Sequence, residues 1–201
     1  PDVKPDVSSI LLADGDIFVN NAEAMQDKIL VNGTIRYKIL YVSDDDDGAV
    51  KSINTNSNFS YALEIQNAKQ GMKSRAKCDI EHIDFEILNG RKVAIKTIMG
   101  VIGKVFNETE YEIANDLRGL DDIQVLRQKA DINAYIGDTE VKCAVRESLE
   151  VPAGKPTIRE ILRNDVKISG KDFKITENRI IAKGELNIST LYIGDDEERS
   201  I

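Results

Sequence analysis

The chain has no tryptophan, one histidine, two cysteines and four prolines among its 201 residues, and each scarcity removes a class of function. With His82 as the lone histidine, neither a His-based zinc triad nor a Cys–His pair oriented by a second histidine can be built. The cysteines, Cys78 and Cys143, are far apart and each sits in an alternating apolar pattern, so both are read as small core residues in a reducing compartment. Aromatic residues make up only 5%, which argues against the stacking platforms that sugar-processing clefts usually offer. A formal charge of −8, with Lys and Arg scattered singly, argues against nucleic acid, whose phosphates need a basic face. No apolar run approaches the roughly 20 residues that span a bilayer, so no membrane insertion is expected. Pro1–Asp16 lacks a signal-peptide pattern. There is no GxSxG, CxxC, HExxH or phosphate-cradling glycine loop, and no catalytic residue, cofactor or metal ligand is assigned.

What is present is a repeat. Shifted by 151 positions, residues 1–50 align with residues 152–201 without a gap, giving 13 identities in 50 pairs. Pro1, Lys4 and Pro5 fall on Pro152, Lys155 and Pro156; Ile10-Leu11 on Ile161-Leu162; Asp14 on Asp165; Ile17 on Ile168. Ile29, Gly33, Leu40-Tyr41 and Asp44-Asp45 then meet Ile180, Gly184, Leu191-Tyr192 and Asp195-Asp196. Nothing after Ile201 matches the segment following Val50, so the second copy is incomplete within this sequence. Two readings stay open: a fragment, or a self-assembling subunit whose half-module is completed by a neighbour.

Each copy opens with apolar residues at i, i+3 and i+4 (Val7, Ile10, Leu11; Ile158, Ile161, Leu162), which predicts one short helical turn behind the Lys-Pro. The rest has period two. Ile29, Val31, Gly33, Ile35, Tyr37, Ile39 and Tyr41 alternate with polar residues, predicting a strand with one buried face. Gly33 and Gly184 lie mid-strand, where glycine marks a bulge or a close backbone approach. Ala76, Cys78 and Ile80 alternate, but Ile83, Phe85 and Ile87 carry the opposite phase, so a bulge is expected near Glu81-His82. Asn89-Gly90 signals a hairpin with a type I′ turn, returning as Val93, Ile95, Thr97, Met99 and Val101.

Glu112–Gly119 is ambiguous between a short helix and an extended edge. Ile123, Val125 and Leu126 begin another strand region, and Val141, Cys143 and Val145 supply one more. The fold class is therefore all-β: an antiparallel β-sandwich or partly open barrel with short helical turns. Residues 1–106 form one module, 107–151 a connecting β segment, and 152–201 a partial second repeat. Asp44–Asp47 offers clustered oxygens for calcium but lacks spaced ligands with a terminal bidentate Glu, so it is read as a solvated acidic hairpin loop. His82 is assigned a structural or surface role.

The blocks KPDVSSIL, ILYVSDD and AKQGMKSRAKCDIEHIDFEILNGRKVAIKTIM, in that order, resemble the SPOCS domain of spore-forming Firmicutes. Val151–Val166 and Ile180–Asp196 resemble the opening half of a second one. The resemblance implies a structural role in coat morphogenesis, in the mother-cell cytoplasm and at the spore surface. It also implies association with other spore-envelope proteins, a SpoIVA-like morphogenetic ATPase among them. Members of that family carry a LysM domain after their SPOCS domains, and no LysM segment lies within these residues. The function expected is thus non-catalytic assembly of the spore envelope by protein–protein association. The alternatives are a filament or appendage subunit completed by strand exchange, and a calcium- or cell-wall-glycan-binding module.

Overall fold

The computed structural model describes residues 4–45, 48–114, 116, 124, 126, 128–129, 131–132 and 136–195. Among the described residues seven strands carry the fold: β1 (Val7–Met25), β2 (Lys28–Ser43), β3 (Val50–Glu64), β4 (Lys73–Asn89), β5 (Lys92–Phe106), β6 (Ile158–Thr176) and β7 (Arg179–Gly194). All pairings are antiparallel, in three sheets ordered β1-β2-β3, β4-β5 and β6-β7, and none closes into a barrel. The all-β antiparallel class is as the alternation predicts.

β2 is the centre of the first sheet, and its period-two pattern explains why. All seven alternating positions from Ile29 to Tyr41 are buried, while Arg36 is exposed on the opposite face. The β4–β5 hairpin covers that buried face. Ile29, Val31 and Cys78 form the core, with Ile17, Val19, Phe59, Ala76, Val101 and Val105 packed around them. Tyr37 Oη and Thr97 Oγ1, 2.6 Å apart, tie the two layers further along. Gly103 admits the Leu63 and Ile29 side chains, whose methyls lie 2.5 and 3.0 Å from where its Cβ would stand.

The expected helical turns are not formed: among the described residues there is no helix, and Val7–Leu11 and Ile158–Leu162 lie inside β1 and β6. Register shifts between Val7/Ser9 and Ile10/Leu12 insert Ser8 and Leu11 as extra residues. Val7, Ile10 and Ala13 therefore fall on one face, opposite Ser43, Tyr41 and Ile39. A strand bulged every third residue places its apolar side chains at a spacing close to that of a helix. β6 repeats the device, with shifts between Ile158/Glu160 and Ile161/Arg163.

Two other expectations fare better. The phase break at Glu81-His82 is a bulge, with the register shifting between Ile80 and His82. The Asn89-Gly90 hairpin is present, but Asn89 pairs with Lys92, so Gly90 and Arg91 are the loop residues, and neither has the positive φ of the expected type I′ turn. Asn89 Oδ1 accepts a hydrogen bond from the Arg91 amide at 2.9 Å, which closes the turn from its side chain. Gly90 serves a close approach instead: the Val7 amide donates to its carbonyl at 2.6 Å, and the Asp6 Cβ lies 3.0 Å from where a Gly90 Cβ would be.

The bounds of β6 and β7 are those of β1 and β2 moved by 151 positions. Tyr41 Oη donates to the Pro5 carbonyl at 3.2 Å, and Tyr192 Oη donates to the Pro156 carbonyl at 3.0 Å. The Asp44 amide donates to the Asp6 carbonyl, and the Asp195 amide to that of Thr157.

Residues 108–150 form a separate unit from 1–107 and 151–201. Its described residues have no regular secondary structure. The strand expected at Val141, Cys143 and Val145 is not formed, and Cys143 is exposed rather than a core residue. Among the described residues no strand pairs with it, so alternation alone leaves its apolar side chains uncovered. Ile123 and Val125, and Leu117–Gly119 of the ambiguous segment, lie outside the described residues.

Candidate association surface

The internal correspondence supplies a ruler for what β6–β7 leaves uncovered. Ile29 is 0% exposed, its counterpart Ile180 52%. Ile35 and Tyr37 are 5% and 8% exposed, Leu186 and Ile188 42% and 41%. Ala24 at 2% becomes Ile175 at 79%. Cross-strand partners share a face, and the register pairs Val166 with Ile188, Ile168 with Leu186, Phe173 with Ala182 and Ile175 with Ile180. These residues make one continuous apolar face. It is also bulkier than its model in the first copy, where Gly15, Ala22 and Ala24 stand at the positions of Val166, Phe173 and Ile175. Soluble monomers rarely expose such a face unless it meets another surface.

The edge of the hairpin is open as well. In the first sheet β2 bonds β1 on one side and β3 on the other, whereas β7 bonds only β6 among the described residues. An unpaired strand edge presents a row of free N–H and C=O groups.

The start of β6 is fixed by a charged clasp. Leu162, the residue added by the second bulge, is 7% exposed and sits in a groove with Arg36, Tyr37, Asn54 and Asn56. Arg163 Nη2 donates to Asp14 Oδ2 at 2.7 Å, and its Nε donates to Asp165 Oδ2 at 2.6 Å. Asp14 and Asp165 correspond to each other across the repeat, so one guanidinium joins the matching aspartates of both copies. The Arg163 hydrogen bond holds the Asp165 carboxyl below its ordinary range, and Asp165 in turn raises the Arg163 guanidinium. Lys38 Nζ lies 3.0 Å from Asp16 and donates to the Asn164 carbonyl at 3.3 Å; Lys51 pairs with Glu160 at 3.2 Å. The sequence reading missed this clasp. Its signal was the departure from the repeat at Leu12/Arg163, two residues before a retained aspartate.

The residues weighed for other chemistry are dispersed. His82 is exposed beside Asp84, 2.7 Å away, in keeping with a surface role. At the acidic loop, Ser43 Oγ lies 2.5 Å from Asp45 Oδ1, so that carboxylate closes the loop; Asp46 and Asp47 lie outside the described residues. Among the described residues no three His, Cys, Asp or Glu side chains come together as a metal site. Burial, reinforced by Asp79, raises the Cys78 thiol above its ordinary range, the opposite of what a reactive thiolate needs.

Taken together, a bulged antiparallel sandwich followed by a hairpin with an open edge and an apolar face defines an all-β scaffold. The chain belongs to the SPOCS-domain family: the family model described as "SipL, SPOCS domain" matches residues 6–88 and 157–201, more than half of it. No curated protein and no solved structure matched in the corresponding comparisons.

Proposed function

We propose that this chain is a structural protein of the bacterial spore envelope that acts, without catalysis, by protein–protein association through β6–β7. One observation carries the reading: the SPOCS-domain family model matches both copies of the repeat, over residues 6–88 and 157–201; among the described residues, the side chains of β6–β7 that correspond to buried ones in β1–β2 are exposed on one face. Membership in the SPOCS-domain family supports a role in sporulation. On this reading the protein works from the mother-cell cytoplasm at the spore surface. Its partners are other envelope proteins, a SpoIVA-like morphogenetic ATPase among them, as the family resemblance implies. Residues 1–106 are the complete module, 107–151 the connection and 152–201 the partial repeat that associates.

The same open edge favours a second reading. If the surface that covers β6–β7 is supplied by the next subunit, the contact is head-to-tail and builds a filament.

The test is the position of a fluorescent fusion in sporulating cells. The wild-type chain is expected as a shell around the forespore. The double variant Leu186→Lys, Ile188→Lys, which leaves β1–β5 untouched, is expected to be diffuse. Identical distributions contradict the reading.

A further inference from the structure

We propose that Asn89 is a self-modifying site: in the folded chain its side chain cyclises onto the Gly90 nitrogen and hydrolyses to aspartate and isoaspartate, while Asn32, also followed by glycine, stays intact. This goes beyond the association reading and stands independently of it.

The reaction is intramolecular and needs only water. The Gly90 main-chain nitrogen attacks Asn89 Cγ; an N–C bond forms and the Cγ–Nδ2 bond breaks. The amide proton lost by Gly90 leaves with the departing NH2 as ammonia, and a cyclic succinimide remains. Water then opens the ring. Addition at Cγ gives aspartate, and addition at the Asn89 main-chain carbonyl gives isoaspartate, whose chain continues through the former side chain. In sum the site consumes water and releases ammonia. Glycine as the following residue admits this closure, because it has no Cβ to crowd the ring and its backbone is the least restricted.

The sequence holds two Asn-Gly pairs, Asn32-Gly33 and Asn89-Gly90, and the fold separates them. Asn32 pairs with Asn21 on β1 and Ser60 on β3, and the buried Gly33 pairs with Val19 and Phe59. Bringing the Gly33 nitrogen onto Asn32 Cγ would mean twisting the central strand out of its sheet. Asn89 is instead exposed and is the last paired residue of β4, with Gly90 lying beyond the final pair of the ladder. No ladder pairing has to break for the Gly90 nitrogen to attack.

The loop also prepares the electrophile. The Arg91 amide donates to Asn89 Oδ1 at 2.9 Å, which folds the Asn89 side chain back over the Gly90 peptide. It places a main-chain N–H at the oxygen where negative charge develops as the nitrogen adds to Cγ, the arrangement of an oxyanion hole. Arg91 is itself held, its Nε 2.8 Å from Asp6 Oδ1.

The two products differ in what they do to the fold. The Val7 amide donates to the Gly90 carbonyl at 2.6 Å, joining the start of β1 to this loop. Isoaspartate lengthens the main chain by a methylene immediately before Gly90 and so displaces that carbonyl. Aspartate leaves the main chain as it was. The isoaspartyl form therefore loosens the start of β1, and the aspartyl form does not.

The test incubates the whole chain at mildly alkaline pH, folded in one sample and unfolded in urea in another, and follows both Asn-Gly peptides by mass spectrometry after digestion. In the folded sample the Asn89 peptide should gain the mass of an NH2-to-OH exchange, and the Asn32 peptide should convert at least about tenfold more slowly, because it waits on opening of the sheet. In urea both should convert. Asn89→Gln should abolish the product at position 89 and leave Asn32 unchanged. Hydrogen exchange at the Val7 amide should be faster in the purified isoaspartyl form than in Asn89→Asp. Asn89 that stays intact in the folded sample while the urea sample converts overturns the proposal. So does equal conversion of Asn32 and Asn89 in the folded chain, which would route the reaction through unfolding. Equal Val7 exchange in the isoaspartyl form and Asn89→Asp overturns the assigned effect on β1.

Discussion

Gly33→Ala tests whether glycine in β2 is a packing requirement or an accident of descent. The added Cβ would stand 2.3 Å from Phe59 Cζ and 2.5 Å from the Phe18 carbonyl oxygen. The Phe59 ring can rotate away, but it then leaves the core edge and forfeits most of a burial contribution of about 1.5–3 kcal/mol. The Phe18 oxygen belongs to the backbone of β1 beside a bulge, and moving it adds an overpacking cost of about 1–3 kcal/mol. Against this, alanine narrows the unfolded ensemble and returns about 0.4–1 kcal/mol. The net expectation is a loss of about 2–4 kcal/mol, which at a typical urea m-value lowers the unfolding midpoint by about 1–2 M. Gly184→Ala has only Ile168 Cγ2 and the Ser169 oxygen to displace, at 3.1 and 3.3 Å, and should cost less than about 1 kcal/mol. Equilibrium urea unfolding of both variants, with Phe59→Ala added to complete a double-mutant cycle, reads all the terms. A Gly33→Ala variant within about 0.5 kcal/mol of wild type refutes the reasoning, because such values are ordinary for surface sites.

Other outcomes follow from the same structure. Ile29→Ala, at a fully buried position, should destabilise by about 2–5 kcal/mol in urea unfolding. A maleimide should label Cys143 at once and Cys78 only on unfolding, since one is exposed and the other buried; equal rates contradict the placement of the second cysteine. The clasp should be sensitive to acid. The Asp165 pKa is lowered in the folded chain, so its contribution is present above the ordinary carboxylate range and lost as the pH falls through the lowered value. An NMR titration of the Asp165 carboxyl should show that depression, and Arg163→Met should largely remove it.

Much of this architecture is legible in the sequence. The Ile29–Tyr41 alternation located the central strand and its buried face, and the phase break at Glu81-His82 located a bulge. Both are signals of period two, which the pleat imposes directly. The opening of each copy misled for the same reason in reverse. Ser8 and Leu11 are bulge residues, and two bulges three positions apart turn a strand's periodicity into something like a helix's. At Asn89-Gly90 the dipeptide marked the hairpin, but the Asx-type closure by Asn89 and the crowding by Asp6 moved the loop by one residue. The Val141–Val145 alternation predicted a strand that is not formed, because alternation states which side chains could share a face and not what would cover it. The candidate surface was visible only in part. Duplication pointed to β6–β7, yet the exposed face and the clasp at Arg163 depend on which strands lie across them, which no local pattern records.

The most direct test is site-specific photo-crosslinking in sporulating cells. A photoreactive residue replaces Leu186 in one strain and Lys77, an exposed position on β4, in another. The account predicts defined protein adducts from position 186 and little or none from position 77. Equal crosslinking from the two, or adducts from position 77 alone, would contradict an association surface on β6–β7.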